Sequence, residues 1–200
     1  MGTVEVADLR LKTPSTIMIN GPTQSGKTYL TSQLLRNKSS IFNPVPEQVV
    51  WCYGMWQPAY DELKESGVVD EFMEGAESFK PKREEEADRY IPTIVVFDDL
   101  QRSANGSMAK IFEVGSHHWN VTPIFLVQNA FHQGKHSRDM RLNTHYQFVF
   151  RNNSDMSQIT TIAKQAFPEK PSSFKRSMTG QRRGHTVICC STSIRRHHLS

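Results

Sequence analysis

The sequence lacks any long apolar run and contains little cysteine. No apolar stretch approaches the roughly 18 residues that a membrane-spanning helix needs, and the first residues lack the apolar core of a signal peptide. The three cysteines, Cys52, Cys189 and Cys190, are odd in number and lack the spacing of metal ligands. We therefore expect an intracellular protein that is not secreted, has no membrane partner and carries free thiols in a reducing compartment.

Other patterns that would indicate a function are also missing. No serine–histidine–aspartate or cysteine–histidine arrangement indicates covalent catalysis. His117, His118, His132 and His136 do not form a set with cysteine or carboxylate that could hold a metal ion. The 200-residue chain shows no internal repeat and has the size of one compact domain, so we predict a single domain over residues 1–200.

Charge is distributed unevenly along the chain. Residues 131–200 hold 12 Lys and Arg against 3 Asp and Glu, whereas residues 1–130 hold 12 against 17. The modest net charge of +4 therefore hides a basic C-terminal third. Such a region suits a polyanion such as nucleic acid, although it is also typical of a solvated protein surface.

Short runs rich in β-branched and aromatic residues alternate with stretches of helical spacing. This alternation is typical of an α/β fold with a mostly parallel central sheet and helices on both faces. The runs are bounded by turn or polar residues, as buried parallel strands tend to be. The predicted strands cover residues 15–20, 48–53, 93–98, 123–128, 146–151 and 185–190.

Three helices are predicted between these strands. Residues 27–36 and 108–119 place apolar side chains at helical spacing. Residues 155–167 begin with a capping box, in which an aspartate is followed three residues later by a glutamine. The charged segment 80–89 has no apolar period and is predicted as an exposed, mobile connection. Residues 191–200 are predicted to form a flexible tail.

The segment GPTQSGKT at residues 21–28 meets the pattern G-x-x-x-x-G-K-[ST] in full. A predicted strand ends at Asn20 and a predicted helix begins at Lys27, so N–H groups of the loop and helix would surround the phosphates of a nucleotide. Lys27 would neutralise phosphate charge, and the Thr28 hydroxyl would ligate Mg²⁺. The predicted nucleotide-binding residues are Gly21, Pro22, Thr23, Gln24, Ser25, Gly26, Lys27 and Thr28.

Two adjacent carboxylates follow a second apolar strand. The run IVVFDDL delivers Asp98 and Asp99 to the carboxyl end of the strand, where ligand sites of α/β sheets lie. Asp98 would hold Mg²⁺ through water, and Asp99 would polarise the water that attacks the γ-phosphate. Asp99 could instead cap the next helix.

Amides end a third strand. The run PIFLVQN closes on Gln128 and Asn129, and an amide beside the Asp98 strand can contact the γ-phosphate and sense its loss. Amides also end strands simply because they form turns. Four aromatic residues nearby, Trp51, Tyr53, Trp56 and Tyr60, are typical of a core. We expect Trp56 and Tyr60 to be the more exposed members of this group, available for stacking on adenine or DNA bases.

The run FLVQNAFHQGKHSRDMRLNTHYQFVF, with WQPAYDEL at residues 56–63, resembles the genome-packaging ATPases of the FtsK/HerA superfamily. The similarity covers roughly residues 14–190 and is strongest to the branch of poxviruses, virophages and Polinton (Maverick) elements. It implies a RecA-like (ASCE) P-loop core, with the Asp98 strand between the P-loop strand and the rest of the sheet. It further implies a homo-oligomeric ring that pumps double-stranded DNA into a capsid through a portal or vertex protein. Such a protein would act in the cytoplasm or nucleus of an infected cell or in the virion.

The resemblance also assigns roles to single residues. The P-loop, the Asp98–Asp99 pair and the γ-phosphate sensor Gln128 match the family's motifs. Arg138 matches a basic position that would act on a neighbour's nucleotide, with Arg141 and Arg151 as competing candidates. The predicted function is therefore an ATP-driven DNA translocase. A P-loop kinase of small molecules and a nucleotide-binding switch that does not hydrolyse ATP remain alternatives.

Overall fold

The computed structural model describes residues 8–100, 106–128, 140, 143–150, 161 and 187–191. The helices within these ranges are α1 (Lys27–Arg36), α2 (Lys38–Ile41), α3 (Ala59–Glu65) and α4 (Gly106–His118). The strands are β1 (Leu11–Lys12), β2 (Ile17–Asn20), β3 (Phe42–Asn43), β4 (Gln48–Tyr53), β5 (Glu71–Glu74), β6 (Arg83–Glu84), β7 (Arg89–Tyr90), β8 (Thr93–Asp98), β9 (Val121–Val127), β10 (Tyr146–Phe150) and β11 (Val187–Ser191).

A seven-stranded sheet forms the centre of the protein. Its strand order is β11-β10-β2-β9-β8-β4-β5. Six of the strands run parallel, and β11 at the edge pairs antiparallel with β10. The inner strands β2, β8 and β9 are buried along their whole length, in keeping with their continuous apolar or β-branched sequence.

The position predicted for the Asp98 strand is wrong. The P-loop strand β2 pairs with β9 and β10, and β9 separates it from β8, which carries Asp98. The strand that leads to Gln128 thus lies between the two strands that were expected to be neighbours. Asp98 faces Leu126 in the β8–β9 register, and Val127 faces Asn20 in the β2–β9 register. All three strand ends therefore open onto one edge of the sheet.

Helices cover both faces of the sheet, as predicted. On one face, α1 and α3 contribute Leu34, Leu35 and Leu63 to an apolar cluster with Ile17 and Ile19. The apolar cluster on the opposite face includes Met108 and Ile111 of α4 together with alternate residues of the same strands. This two-sided burial explains why the strands read as unbroken apolar runs rather than as alternating ones. Within the described ranges, each helix is too short or too polar to cross a bilayer.

Most predicted elements are found, with small shifts at their ends. The strands at 48–53 and 93–98 and the helix at 27–36 have the predicted bounds. Strands β2 and β9 differ from the predicted 15–20 and 123–128 by one or two residues at one or both ends. Strand β10 begins at the predicted Tyr146 and β11 ends one residue beyond its predicted end, while the predicted strand residues 151, 185 and 186 lie outside the described residues. Of the helix predicted for residues 155–167, only Thr161 is described, and it is helical.

The charged segment 80–89 contains regular structure. Strands β6 and β7 pair antiparallel across it, with Arg83 opposite Tyr90. Ion pairs join Arg83 to Asp88, and Arg89 to Glu84 over 2.8 Å. In this exposed hairpin, opposite charges on the two strands pair with each other and take the place of apolar contacts, so the segment shows no apolar period. Apart from Ser191 in β11, the predicted tail at 191–200 lies outside the described residues.

Candidate nucleotide-binding site

The P-loop, residues 21–28, joins β2 to the first turn of α1 at the carboxyl edge of the sheet. Gly26 immediately precedes α1 and has a φ of 96°, a left-handed conformation that glycine adopts without a steric penalty. No side chain caps the N-terminus of α1. The first N–H groups of a helix need acceptors, and an anion is a natural one. The loop thus has the backbone arrangement of a phosphate cradle.

Lys27 folds back over this loop. Its Nζ atom donates hydrogen bonds to the carbonyl oxygens of Gly21 at 2.8 Å and Pro22 at 2.9 Å. Burial lowers the pKa of the ammonium group, whereas the carboxylates of Asp98 and Asp99 act in the opposite direction. The lysine is therefore held at the centre of the loop by neutral acceptors and sits within the field of both acidic residues.

Buried polar groups without partners surround the same loop. The hydroxyl of Ser25 and the amide of Asn20 are buried and have no hydrogen-bond partner in the part of the chain that the structure describes. Buried polar groups are nearly always satisfied, so each such group calls for an explanation. The Ser25 hydroxyl lies within the phosphate loop itself, where a bound phosphate oxygen would satisfy it.

Side chains from α1 and α3 meet at Asp98, the last residue of β8. Its Oδ2 atom accepts a hydrogen bond from the Thr28 hydroxyl of α1 at 3.3 Å and another from the Tyr60 hydroxyl of α3 at 2.9 Å. Burial raises the pKa of this carboxyl, and the hydrogen bonds from Tyr60 and Thr28 and the charge of Lys27 partly offset the rise.

These donors fit the ion that P-loop nucleotides carry. Mg²⁺ prefers oxygen ligands and usually takes only one or two from a protein, with water and phosphate completing its shell. The Thr28 hydroxyl and the buried Asp98 carboxylate lie 3.3 Å apart beside the phosphate loop and match that requirement. They are the residues that would hold Mg²⁺.

Asp99 follows directly and is exposed at the edge of the sheet. Its φ of 56° is left-handed, which is uncommon outside glycine and concentrates at functional sites. The alternative in which Asp99 caps the next helix stays a prediction, because residues 101–105, which precede Gly106 of α4, lie outside the described residues. Gly54 permits the close approach of this turn, since a Cβ atom at Gly54 would lie 2.9 Å from the Asp99 carbonyl oxygen.

Gln128 is exposed at the end of β9, beside the start of the phosphate loop. The residue before it, Val127, accepts a hydrogen bond from the N–H of Gly21 at 3.0 Å. The β9–β8 pairing also places this strand end beside Asp98. The predicted sensor position therefore lies between the loop and the acidic pair. Arg138, Arg141 and Arg151 lie outside the described residues.

One expectation about the aromatic residues is wrong. Tyr60 is fully buried, not exposed, because α3 packs against the sheet through Tyr60 and Leu63. Their spacing of three residues was the sequence signal for this helix face. Trp56 is partly exposed, at 38%, as expected. Tyr60 and Gly54 are the residues of the site that sequence reasoning missed.

Solved structures share this architecture. The genome packaging NTPase B204 from Sulfolobus turreted icosahedral virus 2, in complex with ATP-gammaS, superposes with a TM-score of 0.52 and 11% identity. The match covers 88% of this chain and 97% of that one. This chain has the RecA-like fold of P-loop ATPases.

A second solved structure extends the likeness. The cytoplasmic domain of the Type VII secretion ATPase EccC from Thermomonospora curvata has a TM-score of 0.55 and 10% identity over 88% of this chain, but only 25% of its own length. Identities this low establish the fold alone. No protein-family model and no curated protein matches the sequence.

Proposed function

We propose that this protein hydrolyses ATP to move double-stranded DNA, and that it is a genome-packaging motor of the FtsK/HerA superfamily. The observation that carries the proposal is the meeting of Lys27, Thr28 and Asp98 at one edge of a RecA-like sheet, with Asp99 and Gln128 at the ends of adjacent strands. The fold shared with a viral genome packaging NTPase supports the packaging role. The motif similarity described above points to the poxvirus, virophage and Polinton branch.

The residues divide the chemistry of hydrolysis among them. The loop N–H groups bind the phosphates, and Lys27 leaves the Gly21 and Pro22 carbonyls to neutralise the β- and γ-phosphates. Thr28 and Asp98 would hold Mg²⁺, which would supply positive charge beside the phosphate oxygens. Asp99 takes a proton from the attacking water as the water oxygen bonds to the γ-phosphorus, and the bond from that phosphorus to the β–γ bridging oxygen breaks, so that ADP leaves. Gln128 orients that water or reports loss of the phosphate.

The proposed partners follow from charge and from the motif similarity. The basic C-terminal third would contact DNA phosphates, which gives binding that is independent of sequence and weakened by salt. The motor would work as a homo-oligomeric ring, in which Arg138, or alternatively Arg141 or Arg151, reaches a neighbour's nucleotide. In an infected cell the ring would dock on a capsid portal or vertex protein.

The deciding experiment is steady-state release of phosphate from ATP, with and without long double-stranded DNA, over a range of protein concentrations. A ring motor should be stimulated by DNA, and its specific activity should rise with protein concentration. Lys27→Ala should abolish nucleotide binding. Arg138→Ala should lose turnover while it still binds nucleotide.

Each alternative gives a different result in the same assay. Turnover that requires a small-molecule acceptor would identify a kinase. Tight nucleotide binding without phosphate release, with or without DNA, would identify a nucleotide switch. Phosphate release that depends neither on DNA nor on protein concentration would support an ATPase but contradict its function as a ring motor.

A further inference from the structure

We propose that Tyr60 is a positioning residue for the Asp98 carboxylate, holding it in the orientation that receives Mg²⁺ with the nucleotide. The inference rests on the proposed function, because it concerns the same metal-nucleotide site. It adds a residue from outside the P-loop and the acidic strand, on a helix that neither motif includes.

Two hydroxyl groups meet on one oxygen of Asp98. Tyr60 donates to Oδ2 at 2.9 Å, and Thr28 donates to the same Oδ2 at 3.3 Å. The Tyr60 bond has the shorter distance, close to the usual value for a hydroxyl donor, and the Thr28 bond is long for that class. Both described hydrogen bonds to the Asp98 side chain therefore fall on the same oxygen, Oδ2.

The two hydroxyls differ in what they do when a nucleotide binds. Thr28 belongs to the P-loop, and its hydroxyl would turn from Asp98 to Mg²⁺. Tyr60 belongs to α3, outside the P-loop, and would keep its bond throughout. It would then be the hydroxyl that holds the carboxylate in place while Thr28 changes partners. Groups that orient a metal ligand in this way commonly change metal affinity or activity 10- to 100-fold when removed.

The Tyr60 ring has little freedom to move. It packs against Trp51 with ring centroids 5.4 Å apart and against Trp56 at 5.6 Å in an edge-on arrangement. Phe72 and Tyr53 lie at 6.3 and 5.9 Å. Trp56 is itself fixed by a hydrogen bond from its Nε1 to Asp61 at 3.0 Å. A side chain whose rotamer is locked by packing can hold its partner precisely.

A buried tyrosine also needs a hydrogen-bond partner for stability alone. The test must therefore separate a positioning role from a structural one. Tyr60→Phe removes only the hydroxyl and keeps the ring in its aromatic cluster. Tyr53→Phe is the matched control, because Tyr53 packs in the same cluster and its hydroxyl makes no hydrogen bond to Asp98 among the described contacts.

The measurement is binding of ATP-gammaS by titration calorimetry, first in EDTA and then over a series of MgCl₂ concentrations, with thermal unfolding of each variant. We expect Tyr60→Phe to bind ATP-gammaS in EDTA with the affinity of the wild type. It should need about 10- to 100-fold more Mg²⁺ than the wild type to reach the same increase in affinity. Tyr53→Phe should match the wild type in both series. Electron paramagnetic resonance of Mn²⁺ in place of Mg²⁺ should show a changed metal environment only in Tyr60→Phe.

The outcomes separate this inference from the proposed function. A wild-type protein whose nucleotide binding ignores Mg²⁺ would overturn both. A Mg²⁺-dependent wild type with an indistinguishable Tyr60→Phe would overturn the inference alone, as would equal losses with and without metal. Should Tyr60→Phe not fold, a crystal structure of the wild type with Mg²⁺ and ATP-gammaS decides. A Tyr60 hydroxyl still bonded to Asp98 supports the inference, and one turned away overturns it.

Discussion

The ammonium of Lys27 donates to the carbonyl oxygen of Gly21 over 2.8 Å, so the P-loop lysine is bound to its own loop. A second bond to Pro22 completes this arrangement. Phosphate would compete with two neutral carbonyls for a buried cation, and a doubly charged acceptor is the stronger partner. The loop thus holds a cation that a bound phosphate can take from neutral acceptors.

Replacing Lys27 by Met should separate binding from stability. Burial lowers the pKa of Lys27, which means that the fold disfavours its charged form relative to water. Met has a similar length and no charge, so we expect the unliganded variant to melt at or above the wild-type temperature. Its affinity for ATP-gammaS should fall at least about 100-fold, since a charge-assisted contact to phosphate is lost. Calorimetry and thermal unfolding measure the two effects.

The control for that variant is Lys12→Met, which removes an exposed lysine of β1. It should leave nucleotide affinity unchanged. A Lys27→Met protein that still binds ATP-gammaS normally would contradict the assigned role. A melting temperature several degrees below that of the wild type would show instead that Lys27 stabilises the unliganded loop.

Asp99→Asn should uncouple hydrolysis from binding. The amide keeps the size of the side chain and tolerates a left-handed φ, but it cannot accept a proton from water. We expect phosphate release to slow by about 10²- to 10⁴-fold, the usual contribution of a general base. Binding of ATP-gammaS with Mg²⁺ should change little. Asp88→Asn is the matched control, because Asp88 is also an exposed aspartate with a positive φ, in the β6–β7 hairpin. Equal turnover in both variants would remove Asp99 from the mechanism.

The elements around the P-loop could be predicted because their signals are local. The strands at 48–53 and 93–98 are continuous apolar runs bounded by polar residues, and the helix at 27–36 follows directly on its glycine loop. Strand order is not a local property. We expected β8 beside β2, but β2 pairs with β9, which begins about 100 residues later in the chain. Such a long-range pairing cannot be recognised from any short segment.

The missed parts of the site have a similar cause. Tyr60 lies in a seven-residue helix rich in charge, and only its spacing with Leu63 marks a buried face. Its contact with Asp98 joins residues 38 positions apart and depends on how α3 packs on the sheet. Gly54 looks like an ordinary turn residue in the sequence. Its importance comes from the Asp99 carbonyl, which approaches it from another strand end.

Gly54→Ala should impair turnover more than nucleotide binding. The added Cβ would lie 2.9 Å from the Asp99 carbonyl oxygen, too close for real contacts, so the turn that carries Asp99 has to shift. The P-loop is a separate segment, and its affinity for ATP-gammaS should stay within a few-fold. Misplacement of a catalytic group by about 1 Å can cost 10²-fold in rate. Phosphate release and calorimetry give the two readouts.

Gly115→Ala is the control for Gly54→Ala. It lies inside α4, where a Cβ would make ordinary contacts of 3.5 Å with Ile111 and Val121. Alanine is favoured over glycine within a helix by roughly 0.5–1 kcal/mol, so this variant should be slightly more stable and fully active. Wild-type turnover in Gly54→Ala would show that the Asp99 turn absorbs the extra atom.

The buried thiol of Cys52 should make stability depend on pH in the alkaline range. Burial, with a smaller contribution from Glu71, raises its pKa from 9.0 to about 12. Between these values the unfolded chain loses the thiol proton and the folded chain keeps it, so the free energy of unfolding falls as pH rises. One group contributes a slope of up to about 1.4 kcal/mol per pH unit. Below pH 9 both states are protonated and the contribution vanishes.

Urea unfolding of the wild type and of Cys52→Ala at pH 8, 9, 10 and 11 tests this expectation. The alanine variant will lose some packing at every pH, so the comparison concerns slopes and not absolute stabilities. Burial also raises the pKa of Tyr60. Tyr60, Cys189 and Cys190 are present in both proteins, so their contributions to the slope cancel in the comparison. The wild-type curve should fall more steeply above pH 9. Parallel curves from pH 8 to 11 would mean that the Cys52 thiol ionises as readily in the folded protein as in the unfolded chain.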